Sequence, residues 1–409
     1  MTFPVSVRSL SRLYGLKAAS FSAAVLLGLA ITGCANTEPV PTTAAQRVEQ
    51  AVAQVTDALV AQTQSLSGVL GTSRRGVVID PMIDANSGQQ TASTQLLQSR
   101  VADRIKSKHT SLELLPFQRA NLDKASYLLT GTLAHQRQIG KSRGALQINL
   151  ALTDLRSGNV VAQSSAMARD DELDNTPLAF EQDSPVLPKD RLIEGYARTT
   201  VTPAGQPADA YYLQRVPVAP IVSEAGTAYN AGRYQDALTQ YTEANATPAG
   251  EQLRVLSGIY LASVKLDRPA EADKAFGKIV AFGIANKQLG VKFLFNPGTT
   301  VFWSDPKVSG PYGLWLARIA QVSTQANVCM DIVGHTSRTG TESLNDALSL
   351  QRAGYIRQRL TGVSAVLSDR TRAAGKGFRE NIIGSGTDNA VDALDRRVEF
   401  KIVGCDRVG

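Results

Sequence analysis

Cysteine and histidine are scarce in this 409-residue chain, with three of each. Cys34, Cys329 and Cys405 cannot staple so long a chain, and His109, His135 and His335 fall in separate regions that form no metal-ligand cluster. Catalytic signatures are missing as well. There is no G-x-S-x-G, no P-loop and no H-E-x-x-H, and Gly375-x-Gly377 and Gly384-x-Gly386 lack the strand-to-helix context of a dinucleotide fingerprint. The chain is therefore expected to be no enzyme, with no cofactor and no metal. Asp80, Asp84 and Asp154 fall in turns at a spacing that suits no cation and are expected as solvated turn residues. Strong charge of one sign is also lacking: the formal net charge is +7, which argues against nucleic acid as a partner. Residues 18–32 form an apolar run without charge, and it is too short for a membrane span of about 20 residues.

What precedes and follows that run gives it a meaning. Arg8, Arg12 and Lys17 form a positive n-region, as in a secretion signal. The run ends in Ile31-Thr32-Gly33-Cys34, which resembles the bacterial lipobox. The resemblance implies cleavage after residue 33, lipidation of Cys34 and a short tether over 34–44. Ala35 rather than Asp follows the cysteine, which implies sorting to the outer membrane, facing the periplasm. Dual or triple acylation makes such anchoring stable. Without the signal the net charge falls to +4.

The remaining length exceeds one typical core, and its pattern changes along the chain. Residues 45–168 read as an α/β domain. Apolar Val52, Val55, Leu59 and Leu66 recur on a helix over 48–70, 76–81 is a buried strand, and Thr91 or Ser93 caps a helix running to 106. Strands over 127–133, 146–155 and 160–166 follow, the last two joined by the hairpin turn Arg156-Ser157-Gly158-Asn159. The wording of 76–91, 125–134 and 148–164 resembles the lipoprotein domain of penicillin-binding-protein activators and flagellar assembly lipoproteins. Residues 169–222 are proline-rich, without periodicity, and read as a connector that wraps along a domain through Tyr211, Tyr212 and Leu213. From 223 to 284 the order Gly226, Tyr229, Gly232, Tyr234, Ala237, Tyr241, Ala244 and Pro248 resembles the tetratricopeptide repeat. Gly258, Leu261, Ala272 and Phe276 echo it. Two repeats fall short of independent stability, so packing on a neighbouring domain is expected.

The most specific signal lies in 285–409. Residues 329–333 form a short apolar run stopped by Gly334, a buried strand, and 291–295 and 398–403 alternate as half-buried strands do. Residues 314–322 read as a helix. From Ser343 a second helix places Leu344, Ala347, Leu348, Ile356 and Leu360 on one apolar stripe. Cys329 opens one strand and Cys405 follows another, so the two thiols meet if those strands are antiparallel neighbours; otherwise they are two small buried hydrophobes. Gly334-His335-Thr336-Ser337-Arg338-Thr339-Gly340, then Asn345, Leu348-Ser349, Arg352-Ala353 and finally Asp395-Arg396-Arg397-Val398-Glu399 resemble the OmpA-like peptidoglycan-binding domain. That resemblance implies an α/β sandwich with one mixed sheet. It also implies a ligand site at Thr336, Ser337, Asn345, Arg352 and Arg397, where an Asp and an Arg of the family clasp diaminopimelate in the peptidoglycan stem. The guanidinium forks onto a carboxylate and the Asp pairs with an ammonium. Ser337 stands where the family has that Asp. Loss of the charge should cost about 1.5–3 kcal/mol, roughly ten- to hundredfold in affinity.

Two readings follow. In one, an outer-membrane lipoprotein binds the wall through its last domain, or once bound it and now keeps Arg352 and Arg397 as fold-stabilising ion-pair residues, and its repeats scaffold a periplasmic protein not named by the sequence. In the other, the first domain regulates a wall synthase or assembles an envelope machine, and the last domain only positions it. The fold class expected in either case is an N-terminal α/β domain, a helical middle and a C-terminal α/β sandwich.

Overall fold

The computed structural model describes residues 45–407 without 68–73, 137–144, 170–172, 288, 297, 385 and 387–390. The secretion signal, the lipobox and Cys34 lie outside the described residues. Apolar spacing sets the first layer: α1 (Val48–Ser67) buries Val48, Val52, Val55 and Leu59 along one face. Strands β1 (Arg75–Ile79) and β2 (Ile83–Asp84) precede α2 (Ala92–Lys108). Thr91 caps α2, its hydroxyl accepting from Thr94 N at 3.2 Å while Thr91 N donates to Thr94 Oγ1 at 2.9 Å. Then come β3 (Leu112–Leu114), α3 (Arg119–Leu122), β4 (Tyr127–Gln136), β5 (Ala145–Asp154) and β6 (Val160–Arg169). The sheet runs β3-β1-β4-β5-β6 with β2 also on β4; β1 is parallel to β3 and β4, and β4, β5 and β6 are antiparallel. Helices α1 and α2 cover one face.

The other face is covered by the segment expected as a connector. There α4 (Ala179–Asp183), α5 (Arg191–Thr200) and α6 (Ala210–Leu213) form, and Ile193, Tyr196 and Tyr212 pack on Val78, Ile83 and Leu128. Part of its proline content starts helices: Pro217 opens a 3₁₀ turn, and Pro220 lies in the first turn of α7 (Ala219–Asn230). With α8 (Tyr234–Asn245), α9 (Leu253–Lys265) and α10 (Pro269–Ala285), α7 makes two helical hairpins. The Tyr241 ring lies against Gly258, where a Cβ would meet the ring carbons at 2.3 to 2.5 Å.

The last region has the mixed α/β architecture expected of it. It contains β7 (Leu289–Val291), α11 (Pro306–Ser309), α12 (Tyr312–Gln325), β8 (Cys329–Gly334), α13 (Glu342–Val363), β9 (Thr371–Gly375) and β10 (Val398–Val403). Strand order is β7-β10-β8-β9, with only β8 and β9 parallel. Val403 faces Cys329 in the antiparallel register, and Cys329 is disulfide-bonded to Cys405 with their Cα atoms 5.1 Å apart. The alternating strand expected over 291–295 is cut short at Val291. Lys292 turns inward to donate to the carbonyls of Glu181 and Gln182 at 3.0 and 3.1 Å, and Phe293 is fully buried. Aromatic rings join this region to the hairpins: Phe276 stacks on Trp315 at 5.4 Å, and Trp315 Nε1 donates to Tyr260 Oη at 2.8 Å. Residues 44–409 form one compact unit. Among the described residues no helix is long and apolar enough to cross a membrane.

Helix α13 corrects one expectation. Leu344 is 68% exposed and Ala347 is exposed, whereas Asn345, Ser349, Arg352, Ala353, Ile356 and Leu360 are buried. Positions 345, 349, 352, 356 and 360 keep helical spacing, so the buried stripe is real but polar in its first half. The aspartates need a second correction. Asp80 and Asp84 are buried, and Asp84 accepts from Asn86 N, Ser87 N and Ser87 Oγ. Asp154 does serve its turn, accepting from Arg156 N and Ser157 N. Asp80 accepts from Tyr212 Oη at 2.6 Å, and burial pushes its carboxyl up to about 6.

Two outcomes follow from this packing. Gly258→Ala should destabilise the chain by about 1–3 kcal/mol in urea unfolding. Gly226→Ala, whose Cβ would meet only Tyr241 Oη at an ordinary 3.5 Å, should be neutral or stabilising. Equal effects would contradict the close approach of α8 and α9. For Asp80, the folded state binds the proton more tightly than the unfolded chain, where the pKa is about 3.9. Its cost is absent below about pH 4, grows as pH rises and is complete above about 6. Asp80→Asn should therefore gain stability relative to the parent between pH 4 and 6; a difference constant with pH would refute this.

Candidate functional site

Three loops converge on the polar half of α13. The loop after β8 carries Thr336 and Ser337, and it is tied to the helix by Asn345, whose Nδ2 donates to Thr339 O at 2.8 Å and Thr341 O at 3.0 Å. Gly340, at φ +88°, lets the chain reverse between those two carbonyls. Ser337 Oγ lies 3.1 Å from Thr339 Oγ1, and Thr336 N donates to Gly377 O at 3.0 Å. Thr336 Oγ1 is buried with no hydrogen-bond partner among the described residues. The second loop, 376–384, is tied to α13 by Gly377 N donating to Ser349 Oγ at 2.9 Å and by Arg379 on Asp346 at 2.7 Å. Asp395 gathers the amides of Ile382, Ile383 and Gly384 at 2.6 to 3.1 Å. Gly334 allows β8 to approach the helix: a Cβ there would lie 2.1 Å from Ser349 O.

Arg352 faces the third loop. Its Nε donates to Thr299 O at 3.0 Å and its Nη2 to Asn296 O at 3.3 Å, with the guanidinium 4.9 Å from the centre of the Phe295 ring. The side chain is thus oriented before any ligand arrives. Thr336, Ser337, Asn345 and Arg352 are all at most 6% exposed. The first three share the loop after β8 and the start of α13; Arg352 lies two helical turns beyond Asn345 on the same face.

Arg397 is engaged differently. It donates to Glu399 Oε1, Leu394 O and Glu380 O at 2.7, 3.5 and 3.1 Å, so its charge goes to holding β10 against the 376–384 loop. Sequence reasoning missed the cluster around it. His335, Glu380 and Glu399 bring their ligand-capable atoms within 4.8 Å of one another. Against burial, which raises it, His335 and Arg397 hold the Glu399 carboxyl well below its ordinary value, and burial with Arg397 nearby lowers the His335 pKa. Lys376 and Lys401 sit on Glu380 at 3.4 Å. Three cations already match the two carboxylates, so the cluster reads as an ion-pair network and opposes a metal ion. Its one foreseeable sign in the sequence was His335 beside Thr336, two positions from Ser337.

No family model matches the chain. Over 194 residues it is 28% identical to outer membrane protein Omp38 of Acinetobacter baumannii, in strains ATCC 19606 and ATCC 17978. The match takes in 44% of this chain and 54% of the relative, so the chain spans about half the length of the curated relatives it matches. Among solved structures it is similar to the peptidoglycan-associated lipoprotein from Burkholderia pseudomallei, at 26% identity and TM-score 0.23 over 28% of this chain and 89% of that one. An outer membrane protein from Borrelia burgdorferi B31 gives 23% identity and TM-score 0.22 over 29% and 88%. The periplasmic domain of Helicobacter pylori MotB gives 18% and 0.24 over 29% and 76%. In sequence, then, the chain is similar to an outer membrane protein over less than half of its own length.

Proposed function

We propose that the chain is a non-catalytic envelope protein, anchored in the outer membrane through lipid on Cys34, that binds peptidoglycan through the polar face of α13. The observation that carries this reading is Arg352, a buried guanidinium held by two loop carbonyls and a ring beside the loop of Thr336 and Ser337. A carboxylate of the wall peptide would meet there a positive charge already held in place, and Thr336 Oγ1 offers a hydrogen bond. Similarity to a relative named as an outer membrane protein supports the compartment. Ser337 offers no charge to an ammonium, so wall binding is expected to be weak. The helical hairpins would display a periplasmic partner, in the manner of the tetratricopeptide-like pattern of 223–284.

Co-sedimentation of the full chain with isolated sacculi tests this. Binding should fall by tenfold or more in Arg352→Ala and rise by about tenfold in Ser337→Asp, which restores the carboxylate. Unchanged sedimentation in both variants would sink wall binding at this site and move attention to the first domain as a regulatory module.

A further inference from the structure

A second polar interior lies far along the chain from α13, where the carboxyl end of β1 meets α6 to α9. Asp80 follows β1, Tyr212 lies in α6, Arg215 follows that helix, and Tyr241 and Arg254 come from α8 and α9. They line a cavity of about 70 Å³. One water needs roughly 10–15 Å³ by this kind of measure, and drug-sized pockets span about 300–1,000 Å³, so the space suits a small molecule only. The crevice beyond the carboxyl ends of parallel strands is also where open α/β sheets place ligands.

The residues that line this space carry unmet polar groups. Tyr241 is fully buried, and its hydroxyl has no hydrogen-bond partner among the described residues. The Nε atoms of Arg215 and Arg254 are buried and equally unmet. Both guanidiniums are nevertheless fixed. Arg215 stacks 3.4 Å from the centre of the Tyr211 ring and donates to Tyr211 O at 3.2 Å. Arg254 pairs with Glu181 at 2.9 Å and donates to Gly88 O at 3.2 Å. Groups held in place yet left unsatisfied are costly in a folded protein, and a ligand or ordered water offsets that cost. The lining also carries both signs, with two guanidiniums and a tyrosine hydroxyl against the Asp80 carboxylate.

We propose that this cavity binds a small free α-amino acid, its carboxylate on Arg215, Arg254 and Tyr241 and its ammonium on Asp80. Both charges of such a ligand find a partner, whereas a simple anion would leave Asp80 opposing it and a simple amine would leave the Tyr241 hydroxyl and the two Nε atoms without an acceptor. The proposal is independent of wall binding through α13. Only a small side chain fits, which selects glycine and alanine.

Isothermal titration of the full chain with glycine, L-alanine and D-alanine, beside acetate and ethylamine, tests it. At least one of the three amino acids should bind one to one, and acetate and ethylamine at least tenfold more weakly. Tyr241→Phe removes a hydroxyl that has no partner to lose, so it should keep the melting temperature while weakening the amino acid about tenfold. Asp80→Asn should weaken it similarly. A water-filled cavity would give no saturable heat with any of the three at millimolar concentration, and that result overturns the proposal. So does acetate binding as tightly as alanine, or binding indifferent to Tyr241→Phe.

Discussion

The buried carboxylate of Glu181, and the extended segment around it, join everything else. Glu181 is 1% exposed; its Oε1 accepts from Gln90 N at 3.3 Å on the first domain and pairs with Arg254 at 2.9 Å on the hairpins. Its backbone carbonyl takes Lys292 Nζ from the last domain at 3.0 Å. On one side, Leu178 N donates to Gln90 O, and Phe180 N donates to Asn230 Oδ1 while its ring contacts those of Tyr229 and Tyr241. On the other, Val186 bridges Val291 and Leu187 N donates to Gly290 O, so the chain runs beside β7 like an added strand. Three regions that a sequence would divide are therefore laced by one segment. A buried ion pair of this kind adds little net stability, because desolvation nearly cancels attraction. Removing either partner leaves a lone buried charge, which disfavours any arrangement that separates the two. Burial presses Lys292 down to about 8, the cost of the same clasp seen from the other domain.

That lacing explains where the two candidate sites sit. Arg352 lies on a helix packed into the same apolar cluster that runs through Phe276, Trp315 and Phe180 to the hairpins, so its guanidinium and loops are carried on a rigid base. The amino-acid cavity is lined by Phe180 of the clasp segment and shares Arg254 with it. A ligand there would touch the residue that pairs with Glu181, which gives the two ends of the molecule a physical connection through a single segment.

Much of this was legible in the sequence for a specific reason: wherever one face of an element is buried in a simple apolar layer, period and residue type agree. Helix α1, the Arg156–Asn159 hairpin, the Cys329–Val333 strand and the alternation of β10 are of that kind. The failures have one cause, polar groups recruited inward by tertiary contacts. Asn345, Ser349 and Arg352 replace the expected Leu344 and Ala347 on the buried face of α13, because that face meets three loops and not a sheet alone. Lys292 breaks the alternation after Val291 because two carbonyls of the clasp need a donor. The span 169–222 looked like a linker because its prolines hide short helices whose buried residues, such as Ile193, Tyr196 and Tyr212, are too few to show a period. Of the candidate site, the motif order located Thr336, Ser337, Asn345 and Arg352. It did not reveal that Arg397 is spent on Glu399 and Glu380, since pairing across a sheet leaves no local signature.

The central claim is that one segment makes the described regions a single cooperative body. Urea unfolding of the full chain, followed by tryptophan emission and by far-UV circular dichroism, measures this directly. Both tryptophans, Trp303 and Trp315, belong to the last region, whereas circular dichroism reports helices and strands throughout. Coincident midpoints and slopes are predicted, as for a two-state transition. A tryptophan transition separated from the loss of secondary structure would show that the last region unfolds on its own and would contradict the account.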